Sequence, residues 1–223
     1  MIFGRFASFR TGLLIIAAYL RTVSQYPEIN RFVVNCRTYA RSDFFVSFIV
    51  LKSSHIGKVQ ETVAKVKLEL DDTIFDVHHK LKQAINEARD TSKSNNTDNI
   101  ATKITKLPII PRIIIKIIKL LDAYGKLPRS IILASPYHTS LFISNLASIN
   151  LDTIFHHLCN FGTNSVFISI GKRSDGKIPL GIVIDDRICG GYIWAKALKS
   201  FNRYLKTPNL LEQKPEKIIY DVI

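Results

Sequence analysis

Residues 181–191 read Gly-Ile-Val-Ile-Asp-Asp-Arg-Ile-Cys-Gly-Gly. The β-branched run at 182–184 predicts a short buried strand. The strand ends in three charged residues, and a glycine pair then precedes a helical pattern that begins near Tyr192. A strand that ends in charges and turns into a helix is typical of a site at a sheet edge, but it is more often a plain turn. The pattern alone leaves both interpretations open.

The rest of the chain alternates between helical and strand patterns. Apolar residues at helical spacing, with Pro27 and Gly125 as stop signals, predict four helices. Short β-branched runs predict the strands, and Asp175-Gly176 predicts a hairpin turn. The polar run at 92–99 predicts a loop. The pattern therefore predicts an α/β domain with helices at 11–25, 74–89, 109–121 and 192–205 and strands at 33–34, 43–52, 65–70, 131–134, 141–146, 166–171 and 178–184.

The composition limits the class of protein. A chain of 223 residues with 47% hydrophobic residues can bury one sizeable core, so residues 1–223 are predicted to form a single domain. The apolar stretch at 12–20 is too short to cross a bilayer, which needs about 20 residues. Three cysteines without close spacing indicate a reducing, cytoplasmic setting and no zinc site. The histidine pairs at 78–79 and 156–157 lack metal-ligand spacing.

The net charge of +13 would favour a polyanionic partner, such as nucleic acid, an acidic membrane surface or the phosphates of a cofactor. A basic surface without a specific partner is an equal alternative. Lysine and arginine are scattered along the chain, and its aromatic residues lie in apolar strand patterns rather than in a basic stacking face. We therefore predict no nucleic-acid partner.

Four segments in order resemble the acyltransferase domain of the chloramphenicol acetyltransferase and dihydrolipoamide acyltransferase superfamily. They are 26–32, Tyr-Pro-Glu-Ile-Asn-Arg-Phe, then 142–146, 167–171 and 181–191. The chain is most similar to free-standing bacterial acyltransferase subunits of 2-oxo acid dehydrogenase complexes, which lack lipoyl and subunit-binding domains, although it looks shortened at its start. The resemblance implies a two-layer α/β sandwich with a mixed sheet, assembled as a homotrimer, with active sites between subunits and acyl-coenzyme A as a substrate.

The same resemblance predicts the site residues and an anomaly. Asp185, Arg187 and Gly191 match the family signature, but Asp186 stands at the position of the catalytic histidine and Gly190 at that of a second aspartate. The family histidine is the general base. An aspartate side chain in water has a pKa of ~3.9 against ~6.5 for histidine. A carboxylate is thus the weaker base, and the loss of a positioned base costs about 10²–10⁴ in rate.

Other residues complete the predicted site. Ser144, in the strand where the family carries a serine, is the candidate donor to the tetrahedral oxyanion, and Asn145 lies beside it. Both could equally be polar residues that end a strand. Cys189 is an alternative nucleophile, although a small buried thiol is the simpler interpretation. The imidazoles at 156–157 could reach the channel near Ser144.

We therefore predict a coenzyme A-dependent acyltransferase-like protein in which Asp186 replaces the catalytic histidine. The alternative is a non-catalytic relative that keeps the trimeric scaffold for binding or assembly. Neither interpretation involves a metal.

Overall fold

The computed structural model describes residues 2–52, 60–89 and 110–222. The predicted loop at 92–99 lies outside these ranges. Three short 3₁₀ turns, at Pro27–Asn30, Leu146–Ile149 and Pro208–Leu211, connect the main elements. The helices are α1 (Ile2–Val23), α2 (Ile74–Arg89), α3 (Ile110–Ala123), α4 (Arg129–Ala134) and α5 (Gly191–Lys206), and the strands are β1 (Phe32–Val34), β2 (Arg37–Tyr39), β3 (Phe44–Lys52), β4 (Gln60–Leu68), β5 (Leu141–Asn145), β6 (Val166–Ile170) and β7 (Leu180–Ile184).

Five strands form one mixed sheet in the order β4-β3-β5-β6-β7. The central pairs β3–β5 and β5–β6 are parallel, whereas the outer pairs β3–β4 and β6–β7 are antiparallel. Strands β1 and β2 form a separate two-stranded hairpin. The predicted α/β class with a mixed sheet is confirmed.

One face of the sheet carries the main core. Alternate residues of a strand point to opposite faces, and in β5 the residues Leu141 and Ile143 join the core together with Ile168 of β6. Helices α1, α2 and α5 contribute the opposing apolar side chains to that same buried cluster. The result is a layer of helices on a layer of sheet. The helical layer includes Leu20, Val77, Leu81, Trp194 and Phe201.

The predicted hairpin turn at 175–176 is confirmed. Strands β6 and β7 are antiparallel, and Ser174 pairs with Lys177 across the turn. Asp175 and Gly176 have φ values of 49° and 75°, as in the tight turns that suit the twist of a hairpin. The Asp-Gly signal sufficed because the turn depends on the local backbone alone.

The strand predicted at 131–134 is wrong, because these residues lie in helix α4. The amides of Ile131 and Ile132 donate to the carbonyl oxygen of Pro128, which starts a helical turn. A four-residue apolar run fits either a strand or a buried helical turn, and here the preceding proline favours the helix.

Other bounds differ from the prediction by up to nine residues. Helix α1 starts at Ile2 rather than at residue 11, and strand β4 runs from Gln60 to Leu68 rather than over 65–70. Within the described ranges, no helix is both long and apolar enough to span a membrane.

Candidate active site

The candidate site lies on the sheet face opposite the main helices. Phe142 and Ser144 of β5 share this face, and so do Phe167 and Ser169 of β6, because side chains alternate along a strand. The parallel register sets Phe142 beside Phe167 and Ser144 beside Ser169. The two phenyl rings stack with centroids 5.5 Å apart and planes 9° apart. The sheet therefore presents two aromatic rings, followed along the strands by two hydroxyl groups.

The segment between β5 and β6 covers this face. His156 stacks on the ring of Phe167, with centroids 4.0 Å apart and planes 13° apart. Its Nδ1 lies 2.7 Å from the backbone oxygen of His157. A carbonyl oxygen only accepts hydrogen bonds, so Nδ1 carries the proton, and in the neutral ring Nε2 is the acceptor. The contacts thus fix both the ring plane and the tautomer of His156.

A cleft of ≈ 320 Å³ lies between this segment and the two strands. Ser144, which is only 9% exposed, faces it. The hydroxyl of Ser169 also lines the cleft and donates to the carbonyl oxygen of Gly181 at 3.3 Å. An apolar floor with a few polar groups is typical of small-molecule sites. The side chains with polar atoms that line it are those of Tyr137, Ser144, His156, His157, Cys159, Asn164 and Ser169.

The structure does not bring the three predicted catalytic residues together within one chain. Asn145 follows Ser144 in the strand and lines a different cavity, of ≈ 170 Å³, on the helix-covered side. Asp186 is exposed beyond the end of β7. Ser169 is the neighbour of Ser144 on β6, and it pairs with Gly181 of β7. Asp186 follows Gly181 by five residues, which span roughly 16 Å along the direction of the strand. Ser144 and Asp186 therefore lie toward opposite ends of the strands.

The turn after β7 forms its own ion pair. Nε and Nη2 of Arg187 donate to the Asp185 carboxylate at 2.7 and 2.6 Å, and the Arg187 amide donates to it at 3.1 Å. The hydrogen bonds from Arg187 lower the pKa of Asp185. Burial raises the pKa of the Cys189 thiol to about 11, so this thiol stays protonated at neutral pH and is a poor nucleophile.

Solved structures are similar to this fold, although no protein-family model matches the chain and no curated protein matches its sequence. A probable dihydrolipoamide acetyltransferase from Listeria monocytogenes is similar with a TM-score of 0.53 at 13% identity, over 87% of this chain and 69% of that chain. The dihydrolipoamide acetyltransferase of Azotobacter vinelandii gives 0.51 at 13% identity, over 94% and 76%. A chloramphenicol acetyltransferase gives 0.50 at 14% identity, over 91% and 82%. The chain has the chloramphenicol acetyltransferase fold.

The chloramphenicol acetyltransferase fold confirms the architecture that the four sequence segments implied. Identities of 13–14% establish the fold alone. In this chain the fold aligns Ser144 with Ser169, a neighbour that the sequence analysis did not single out. The signal was present, because both residues stand two positions after a phenylalanine in a predicted strand.

A largely buried pair of side chains near this face, His138 and Asp122, was not predicted from the sequence. His138 is 3% exposed, and its Nε2 lies 2.7 Å from a carboxylate oxygen of Asp122 at the end of α3. The second oxygen of Asp122 accepts from the amide of Gly162 at 2.8 Å. This pair joins α3 to the segments before β5 and before β6. Among the described residues, no three histidine, cysteine, aspartate or glutamate side chains cluster in a way that could hold a metal ion.

Proposed function

We propose that this chain is a coenzyme A-dependent acyltransferase related to the acyltransferase component of 2-oxo acid dehydrogenase complexes. The observation that carries the proposal is the position of Ser144, whose side chain lines the cleft beside two imidazoles. This is the strand in which the sequence resemblance expects the oxyanion donor. A net charge of +13 supports attraction of the coenzyme A phosphates.

In this proposal Ser144 donates a hydrogen bond to the oxyanion that forms when an acceptor attacks the thioester. Such a donor acts best from a fixed position in a site that excludes water. Ser144 has a fixed position, since it belongs to a central strand of the sheet, and its side chain is nearly buried. For the Azotobacter vinelandii enzyme, a serine, a histidine and an asparagine have been studied for their roles in catalysis.

The histidine and the asparagine of that enzyme are four positions apart, which is the spacing of Asp186 and Gly190 here. In this chain Asp186 is exposed and Gly190 has no side chain to offer. The usual histidine base is therefore missing from its expected position, and any turnover needs a base from elsewhere or proceeds slowly.

The same turn favours a second candidate function, a non-catalytic relative that acts as a binding or assembly scaffold. Arg187 and Asp185 are bonded to each other, and Cys189 is buried and protonated. A turn stabilised by its own ion pair preserves the fold without supplying a proton acceptor. A scaffold of this kind would bind a ligand or a partner without transferring an acyl group.

We also propose that the protein assembles as a homotrimer. Several large apolar side chains of the covering segment are exposed, and clusters of such residues mark interaction surfaces. Phe155 is fully exposed, and Ile149, Leu151 and Ile154 are each 51% exposed. Contact with a second copy would bury these side chains.

The test of the function combines calorimetry of coenzyme A and acetyl-coenzyme A binding with an assay of thiol release against thiol, amine and hydroxyl acceptors. We expect binding and turnover, and we expect Ser144→Ala to lower kcat by about 10²–10³, as removal of an oxyanion donor does. Ser174→Ala, in the exposed hairpin turn, is the matched control.

The experiment has three possible outcomes, and each supports a different conclusion about the function. Binding with turnover that depends on Ser144 supports the acyltransferase. Binding without turnover in the unmodified protein favours the scaffold. If neither coenzyme A nor acetyl-coenzyme A binds, the acyltransferase proposal is wrong and only the fold remains.

A further inference from the structure

We infer that His156 is the general base of this site and replaces the histidine that is missing at position 186. The inference rests on the proposed acyltransferase function and adds to it a catalytic residue from a different segment of the chain. His156 lies in the connection between β5 and β6, whereas residue 186 follows β7.

Among the residues that the structure describes, the cleft is lined by two imidazoles and by no carboxylate. A neutral imidazole accepts a proton at its unprotonated ring nitrogen. Histidine is also the side chain that most often acts as a general base. The cleft therefore contains its own bases and does not need Asp186.

His156 differs from His157 in how its ring is held. His156 is stacked on Phe167, a side chain of the central sheet, and its Nδ1–H is bonded to the His157 carbonyl oxygen. The first contact fixes the ring plane and the second leaves Nε2 as the proton acceptor. A catalytic base needs both properties, an orientation set by packing and a defined tautomer.

The spacing between His156 and Ser144 suits a base and an oxyanion donor. Phe167, below the imidazole, is two residues from Ser169 along β6, and Ser169 is paired with Ser144 on the next strand. With ~3.3 Å per residue and ~4.8 Å between strands, the imidazole and the hydroxyl are about 8 Å apart in the plane of the sheet. The base bonds to the attacking atom of the acceptor, and the oxyanion donor bonds to the carbonyl oxygen of the thioester. Each hydrogen bond is about 3 Å long, so the distance between the two side chains leaves room for the attacking atom and the carbonyl group.

Nε2 of His156 takes the proton from the hydroxyl, amine or thiol of the acceptor while the acceptor atom bonds to the thioester carbon. Ser144 donates a hydrogen bond to the resulting oxyanion. The carbon–sulfur bond then breaks, and the coenzyme A thiolate takes the proton from the imidazolium. The products are the acylated acceptor and free coenzyme A, and His156 is again neutral.

The test compares four variants for acetyl-coenzyme A binding by calorimetry and for thiol release. We expect His156→Ala and His156→Gln to lower kcat by about 10²–10⁴, the usual contribution of a general base, while the Kd for coenzyme A changes less than about threefold. Added imidazole should restore part of the activity of His156→Ala. His157→Ala should lower kcat less than His156→Ala does. His79→Ala, on the exposed side of α2, is the matched control and should behave as the unmodified protein.

The outcomes separate this inference from the proposed function. If the unmodified protein turns over and the His156 variants retain its kcat, the inference is wrong and the acyltransferase function stands. A larger loss with His157→Ala, or with Asp186→Asn, would assign the base to that residue and overturn the inference as well. A lack of turnover in the unmodified protein overturns both. Thermal melting of each variant identifies any loss that comes from unfolding.

Discussion

Gly162 shows how strongly a single residue is constrained near the cleft. Its φ is +89°, and an added Cβ would overlap the carbonyl oxygen of Tyr137. Gly176, in the β6–β7 hairpin turn, has φ +75° but nothing within 4 Å of an added Cβ. Alanine at Gly176 should therefore cost only the left-handed backbone, about 1–2 kcal/mol. Alanine at Gly162 should cost that plus a clash, for a total of about 3 kcal/mol.

Urea denaturation of Gly162→Ala and Gly176→Ala measures this difference directly. Equal losses in the free energy of unfolding would contradict the close approach between Gly162 and Tyr137. The pair is matched because both glycines have similar φ values, so the backbone contribution largely cancels.

His138 makes the stability depend on pH. Burial lowers its pKa below the ordinary value of 6.5, against the opposing effect of the hydrogen bond that Asp122 accepts, while the charges of Lys65 and Arg41 add to the lowering. The unfolded chain therefore binds a proton near pH 6.5, where the folded chain does not. The stability that the neutral His138 provides is complete above pH 6.5 and is lost as the pH falls from there through the lowered pKa.

We expect the free energy of unfolding to decrease between pH 7 and pH 5, and His138→Gln to show a smaller decrease over that range. Urea denaturation at several pH values tests this. A steeper dependence in His138→Gln would mean that the pKa of His138 is raised in the folded protein. His78→Gln, which changes an exposed histidine of α2, is the control.

At the scale of elements, Lys65 connects strand β4 to helix α4 through two hydrogen bonds. None of the six residues of α4 is buried, and Nζ of Lys65 donates to the carbonyl oxygens of Ile132 and Ser135 at 2.8 and 2.9 Å. Hydrogen bonds to charged groups contribute about 1.5–3 kcal/mol each. Lys65→Met should thus loosen the end of α4 from strand β4.

Hydrogen exchange of the Ser135 amide, which donates to the carbonyl oxygen of Ile131, reports on this loosening. We expect exchange at least about tenfold faster in Lys65→Met, since ~1.4 kcal/mol corresponds to a factor of ten. Lys199→Met, on the exposed side of α5, should leave that rate unchanged. An unchanged rate in Lys65→Met would mean that other contacts hold α4.

The elements that the sequence predicted correctly are those with local signals. Helix α2 was predicted at its observed bounds because its apolar stripe is long. Its first turn is also capped by Thr73, whose hydroxyl accepts a hydrogen bond from the Asp76 amide at 3.3 Å. The run at 131–134 has no such length, so its type depended on Pro128 and on tertiary contacts. The site was predictable only in part, because Ser144 lies in a regular strand but His156 lies in a connection without periodicity.

At the scale of the whole molecule, the assembly state is the main prediction. We expect light scattering to give three times the 25.3 kDa of one chain. Phe155→Ser should shift this mass towards the monomer, because it removes a fully exposed aromatic side chain from the proposed contact between copies. Tyr220→Ser, at another exposed aromatic residue near the end of the chain, is the control. A monomer at all concentrations would contradict the trimer.

The order of the strands has a consequence for how the chain folds. Strands β3 and β4, and likewise β6 and β7, pair as neighbours in sequence, but the parallel pair β3–β5 joins Val46 to Leu141. Pairing residues so far apart closes a long loop, and its entropic cost must be met before the contacts stabilise the fold. We therefore expect the two halves of the sheet to form first and their joining to limit the rate of folding. Until then, β3 and β5 expose unpaired backbone edges, so refolding at high concentration should favour aggregation over the native state.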